Sequence, residues 1–160
     1  MEAFFTQLAQ AGFAKEIVVF LSSMVPVWEL KGAIILGQAW GIAPWVSYGL
    51  SLAGSGLSAV LVLLFLRPVM RWMFRTKLFA GFAAWLQRRG MLKSDKVTRY
   101  ETFGLFVFVA VPLPTTGVWT GSLIATVLDM PLKRSIPAVL IGNVIAGLAI
   151  MLLYGVLTLG

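Results

Sequence analysis

Two long apolar runs in this chain are broken by proline and polar residues, at matching places in its two halves. The first break reads Met24-Val25-Pro26-Val27-Trp28-Glu29-Leu30-Lys31-Gly32. The second reads Val111-Pro112-Leu113-Pro114-Thr115-Thr116-Gly117-Val118-Trp119-Thr120-Gly121. Irregular backbone and charge are costly in hydrocarbon unless they are buried in protein or line a cavity. Paired Pro/Gly breaks of this kind, in corresponding places of two halves, mark a binding site in membrane chains.

The composition supports a membrane reading. Hydrophobic residues make up 59% of the chain and charged residues only 12%. Soluble domains use far fewer apolar residues and about twice the charge. The net charge of +7 invites comparison with nucleic-acid binders. Its distribution argues otherwise, because nine of the thirteen Lys and Arg lie between Arg67 and Arg99, flanked by apolar stretches. The positive-inside rule reads that block as a cytoplasmic loop. The chain has no Cys and no His. This excludes disulfides, thiol chemistry, Cys/His zinc sites and a His general base. No catalytic residue, metal or cofactor is expected. The start, Met1-Glu2-Ala3-Phe4-Phe5, lacks the positive region of a signal peptide, so no cleavage is expected.

Along the chain, residues 3–13 read as a short helix at the membrane surface or a frayed terminus. Short apolar pieces at 14–25 and 30–40 flank Pro26, and twelve helical residues cover only about 18 Å, roughly half a bilayer. Gly41, Pro44 and Trp45 mark a turn at an interface. Residues 45–66 form a full span, with small residues from Gly49 to Ala59 that permit close packing, and end in Arg67-Pro68. Residues 69–90 read as a basic amphipathic helix with Phe74, Leu78, Phe82, Trp85 and Leu86 on its apolar face. The order then repeats. Short pieces at 100–111 and 117–128 flank the second break, Asp129-Met130-Pro131 turns, and 135–158 form the last span.

The fold expected is an all-α integral membrane protein in one domain, residues 1–160. Two inverted repeats, 14–66 and 100–158, are each a broken re-entrant helical hairpin followed by a full transmembrane helix. The basic amphipathic connector 67–99 lies between them in the cytoplasm. Spacing supports the repeat: Pro26 to Pro44 is 18 residues, and Pro112 to Pro131 is 19. Both termini are then outside, in the plasma membrane of a bacterial or archaeal cell, and the hairpin tips meet near the midplane. A chain this small is expected to assemble as a homodimer.

Glu29 is the sharpest candidate. A desolvated carboxyl at a hairpin tip suits a proton or cation site. Alternatively it forms an ion pair with Lys31 or Lys15, or caps a half-helix N-terminus. Lys31 can pair with Glu29, hold an anionic group, or snorkel to the interface. Thr115, Thr116 and Thr120, with Gly117, offer hydroxyls and N–H groups to an anionic group, or cap their own broken helix. Trp28 and Trp119 can stack on a ligand or pack the tips together, and Pro26, Pro112 and Pro114 shape the breaks. Asn143 can reach a cavity or bond another helix.

These motifs resemble those of the small multidrug export protein family, which carries Glu-Leu-Arg-Gly-Ala-Ile-Pro and Pro-Leu-Pro-Gly-Thr-Gly-Ala-Trp-Thr-Gly stretches. Here the first reads Glu29-Leu30-Lys31-Gly32-Ala33-Ile34-Ile35, and the second runs from Pro112 to Gly121. Lys31 replaces Arg and loses a planar fork, and Ile35 replaces Pro. The resemblance implies export. The hairpin layout is also similar to DedA-like membrane proteins, which implies lipid-carrier translocation. Three readings are open: a proton-coupled exporter of a small amphipathic or cationic compound, a lipid or lipid-phosphate translocase, and a non-transporting scaffold. The expected partners are membrane lipids, a small-molecule or lipid substrate and a second copy, with no nucleic acid.

Overall fold

The computed structural model describes residues 2–10, 13–26, 28–74, 81, 95–113 and 116–159. These form seven helices and no strand. They are α1 (Glu2–Gln10), α2 (Lys15–Ser23), α3 (Glu29–Ala39), α4 (Pro44–Phe74), α5 (Asp95–Ala110), α6 (Val118–Val127) and α7 (Leu132–Leu159). The four short apolar pieces expected around the two breaks are α2, α3, α5 and α6.

The two halves end their short helices with the same device. After α3, the N–H of Gly41 bonds to the Gln38 carbonyl and that of Ile42 to the Gly37 carbonyl, each at 3.0 Å. After α6, the N–H of Asp129 bonds to Thr126 at 3.1 Å and that of Met130 to Ala125 at 2.9 Å. Both are Schellman motifs, which satisfy the last carbonyls through one residue in the left-handed region. That residue is Gly41 at φ 78° and Asp129 at φ 50°. Each turn leads into a long helix through a proline, Pro44 or Pro131, where a missing N–H costs little.

Helices α4 and α7 hold the two candidate membrane spans, Pro44–Val69 and Leu132–Gly155. They run antiparallel. The Tyr48 hydroxyl donates to the Val144 carbonyl at 3.2 Å, Asn143 donates to Ser55, and the Arg67 guanidinium reaches the Met130 carbonyl. The short helices fold as hairpins against this pair. At the open end of the first, the Lys15 ammonium donates to the Trp40 carbonyl at 3.2 Å. There Gly37 lies so close on Ser47, at the start of α4, that a side chain would collide. In the second hairpin, Gly121 of α6 lies against Val109 of α5, and Gly142 of α7 lies against Val109 and the Phe106 carbonyl. Val109, Val118 and Val139 are buried where this hairpin meets α7. Leu30 and Ile34 of α3 pack with Ala146 and Met151 of α7. Phe65, Leu152 and Ile141 face outward from the long helices, as lipid-facing residues do.

One boundary differs from expectation. The candidate span ends at Val69, beside the expected Arg67-Pro68, but the helix does not stop there: α4 continues through Pro68 to Phe74. The guanidinium of Arg67 ties this stretch to the turn before α7, and the residues that follow have adequate helix propensity. The rest of the amphipathic helix expected at 69–90, and most of the basic connector, lie outside the described residues apart from Gly81.

Candidate functional site

The two breaks meet. Glu29 opens α3 with its backbone in the left-handed region, at φ 48°, and its N–H bonds to the Val25 carbonyl at 2.9 Å. A non-glycine residue held there is strained, and such strain clusters at functional sites. The side chain is 7% exposed and crosses to the other half. Its Oε1 accepts a hydrogen bond from the backbone N–H of Trp119 at 3.0 Å. Trp119 is the second residue of α6, so Glu29 caps a helix N-terminus that belongs to the other hairpin. Gly117 makes this approach possible, since a Cβ there would run into the Glu29 carboxyl. Its φ of 163° is ordinary extended backbone, so the requirement is one of space.

Two further contacts tie the tips together. The Trp119 indole N–H donates to the Met24 carbonyl at 3.2 Å. The Lys31 ammonium donates to the carbonyls of Leu113 and Thr116. The Leu113 carbonyl also accepts the Thr116 N–H at 3.2 Å, so the ammonium joins a turn that is already closed and ties it to α3. Lys31 therefore binds backbone of the second break; its bonds go neither to Glu29 nor to the membrane surface. The Thr116 hydroxyl, buried, lies 2.5 Å from the Val111 carbonyl and accepts the Leu113 N–H at 3.1 Å. It closes its own broken segment, around Pro112.

The junction lies near mid-depth of the long helices. The Ser58 hydroxyl donates to the Met24 carbonyl at 3.4 Å, and Ser58 is central in the span Pro44–Val69. One turn away, the Asn143 amide donates to the Ser55 hydroxyl at 2.8 Å. Asn143, 3% exposed, is itself central in Leu132–Gly155.

The fold thus brings Glu29, Lys31, Thr116, Gly117 and Trp119 together. Trp28 is directed elsewhere: its ring stacks near Phe5 of α1, with centroids 5.9 Å apart, and covers Gly32. Pro26 is exposed and Thr120 is half-buried. Pro114 and Thr115 lie outside the described residues. Sequence reasoning missed the Met24 carbonyl and Ser58. A signal was available, because Ser47, Ser51, Ser55 and Ser58 recur at helical spacing and all are buried.

Among the described residues the chain is all-helical, and its two broken helix tips meet beside two helices long enough to cross a membrane. The family described as Putative small multi-drug export protein matches residues 29–149, from Glu29 to within α7, and the chain belongs to that family. The matched stretch holds both sides of the junction, while α1 and α2 precede it. No curated protein and no solved structure matches the chain, and the DedA-like likeness finds no match in these comparisons. Family and spans together place the chain among membrane proteins of the export class.

Proposed function

We propose that this chain is a small secondary transporter that exports a small amphipathic or cationic compound in exchange for protons, with Glu29 as the coupling carboxylate. The observation that carries the reading is the hydrogen bond from Trp119 N–H to Glu29, which joins the two tips near mid-depth. The ionised carboxylate makes a charge-assisted bond at the positive end of α6 and holds the tips together. A proton neutralises it and weakens that latch. A cationic compound competes with the proton for the same carboxylate, so one group serves both in turn. Lys31 and the Trp119–Met24 bond keep the two tips in register while the Glu29 contact loosens.

We further infer that the halves are inverted repeats, each a re-entrant hairpin and a span. In this arrangement both termini are outside and residues 67–99 are cytoplasmic. Supporting this are the shared Schellman turns and the hairpins packed beside the starts of α4 and α7, two helices that run antiparallel. Tags at both ends, probed by protease in whole cells, test it; a cytoplasmic N-terminus overturns it. A homodimer encloses the pathway, and a monomer by native mass spectrometry in lipid would count against it.

The transport test uses the full chain in liposomes with an imposed pH gradient and a fluorescent organic cation. Wild type is expected to move the cation with the gradient, and Glu29→Gln is expected to abolish the dependence. Flipping of a fluorescent phospholipid by wild type, with no cation movement, would replace this reading by the lipid translocase.

A further inference from the structure

Away from the tip junction, α5 and α7 enclose an open groove of about 510 Å³. Its floor and walls include Phe103, Phe106, Pro137 and Ile141, and Lys133 and Arg134 stand at one end. Phe103 is 63% exposed and Ile141 54% exposed, so the apolar walls are open to the surroundings. The two cations fall in the first turn of α7, where the candidate span begins. Positive charge is disfavoured at a helix N-terminus, so local helix energetics do not explain this pair. From Lys133 to Ile141 the helix rises about 12 Å, enough to follow the upper part of an acyl chain. Charge lies at the boundary of the apolar span, and apolar walls run inward from it.

We propose that this groove binds one phospholipid with an anionic headgroup. Lys133 and Arg134 hold the phosphate, and Phe103, Phe106 and Ile141 flank the first acyl chain. Basic residues at a membrane boundary attract anionic lipid, and a guanidinium meets phosphate oxygens through two parallel N–H donors. The bound lipid bridges α5 of the second hairpin to α7, the element that the hairpin packs against. The site shares no residue with the Glu29 junction, so it stands or falls independently of the transport reading.

Native mass spectrometry of the full chain tests it, with phosphatidylglycerol and phosphatidylcholine of identical chains offered together. Wild type is expected to retain phosphatidylglycerol about tenfold or more over phosphatidylcholine. The double variant Lys133→Gln, Arg134→Gln loses that preference; both residues are exposed, so folding is preserved. Ile141→Trp, which fills the groove with both charges intact, loses it too. Equal retention of the two lipids by wild type overturns the proposal. So does full preference in Ile141→Trp, which would mean that the charges act without the groove. A shift from dimer to monomer in Ile141→Trp, with lipid preference unchanged, would assign the groove to a second copy instead.

Discussion

The carboxylate of Glu29 caps a helix that begins almost ninety residues later, accepting the Trp119 N–H at 3.0 Å. A helix cap supplied from another element is both a structural tie and a chargeable latch. Glu29→Gln keeps an acceptor oxygen and is expected to fold with a near-normal melting temperature while losing proton coupling. Glu29→Ala removes the acceptor and is expected to cost about 1–2 kcal/mol. Glu29→Gly is expected to cost less than Glu29→Ala, because glycine takes the left-handed backbone at φ 48° without steric strain. Thermal melts in detergent, paired with the liposome assay, separate the three.

Gly117→Ala should be damaging for one reason only, the clash of its methyl group with the Glu29 carboxyl. Overpacking of this kind costs about 1–3 kcal/mol. In a Glu29→Ala background the same change is expected to cost far less. A double-mutant cycle on melting temperature checks this, and additive losses would place the cause in the backbone instead.

Lys31→Arg is expected to be tolerated, since a guanidinium has donors enough for the Leu113 and Thr116 carbonyls. Lys31→Met removes the cation from both carbonyls, while the Leu113 carbonyl keeps the Thr116 N–H, and is expected to lower stability by about 1–2 kcal/mol. Equal melting temperatures for Lys31→Met and wild type would show that this bond contributes nothing to joining the tips.

Asn143 and Ser55 join the two long helices at their centres. A cycle of Asn143→Ala and Ser55→Ala is expected to show a coupling of about 0.6–1.7 kcal/mol, the range seen for hydrogen bonds between membrane helices. No coupling would mean that the two side chains act separately.

Asp129→Gly is expected to stabilise the fold by about 0.5–1 kcal/mol. Asp129 holds the left-handed position of a Schellman turn at φ 50°, which its counterpart Gly41 fills without strain. A lower melting temperature for Asp129→Gly would assign the carboxylate a contact of its own.

Much of the fold was legible because membranes narrow the choices. Apolar runs of half and full length, punctuated by Pro26, Pro44, Pro112 and Pro131, show which segments are helices, although proline alone does not set their ends, since Pro68 and Pro137 lie inside α4 and α7. The two breaks marked the site for the same reason, since a polar interruption in an apolar run has to be satisfied inside the protein. Two points were left for the structure to decide. Arg67-Pro68 closed the expected span, and the candidate span does end at Val69, but α4 runs on unbroken to Phe74 while the Arg67 guanidinium bonds to the Met130 carbonyl. Trp28 at the first tip was open to stacking on a ligand or packing the tips together, and its ring lies beside Phe5 of α1.

What the sequence by itself determined is the alphabet of helices, the two breaks, and a wider set of candidates within them, with Trp28, Thr115 and Thr120 standing beside Glu29, Lys31, Thr116, Gly117 and Trp119. These follow from local rules of periodicity, proline geometry and the cost of charge in hydrocarbon. Which partner each residue takes was decided only by tertiary structure. The sequence left Glu29 open to an ion pair with Lys31, two residues away. In the fold it turns to Trp119, and Lys31 turns to the carbonyls of Leu113 and Thr116. The reason is that the second break presents an N–H at the start of α6 and loop carbonyls just before it, both facing α3. The hairpin that packs opposite decides which charge reaches which end, and no local pattern encodes that packing.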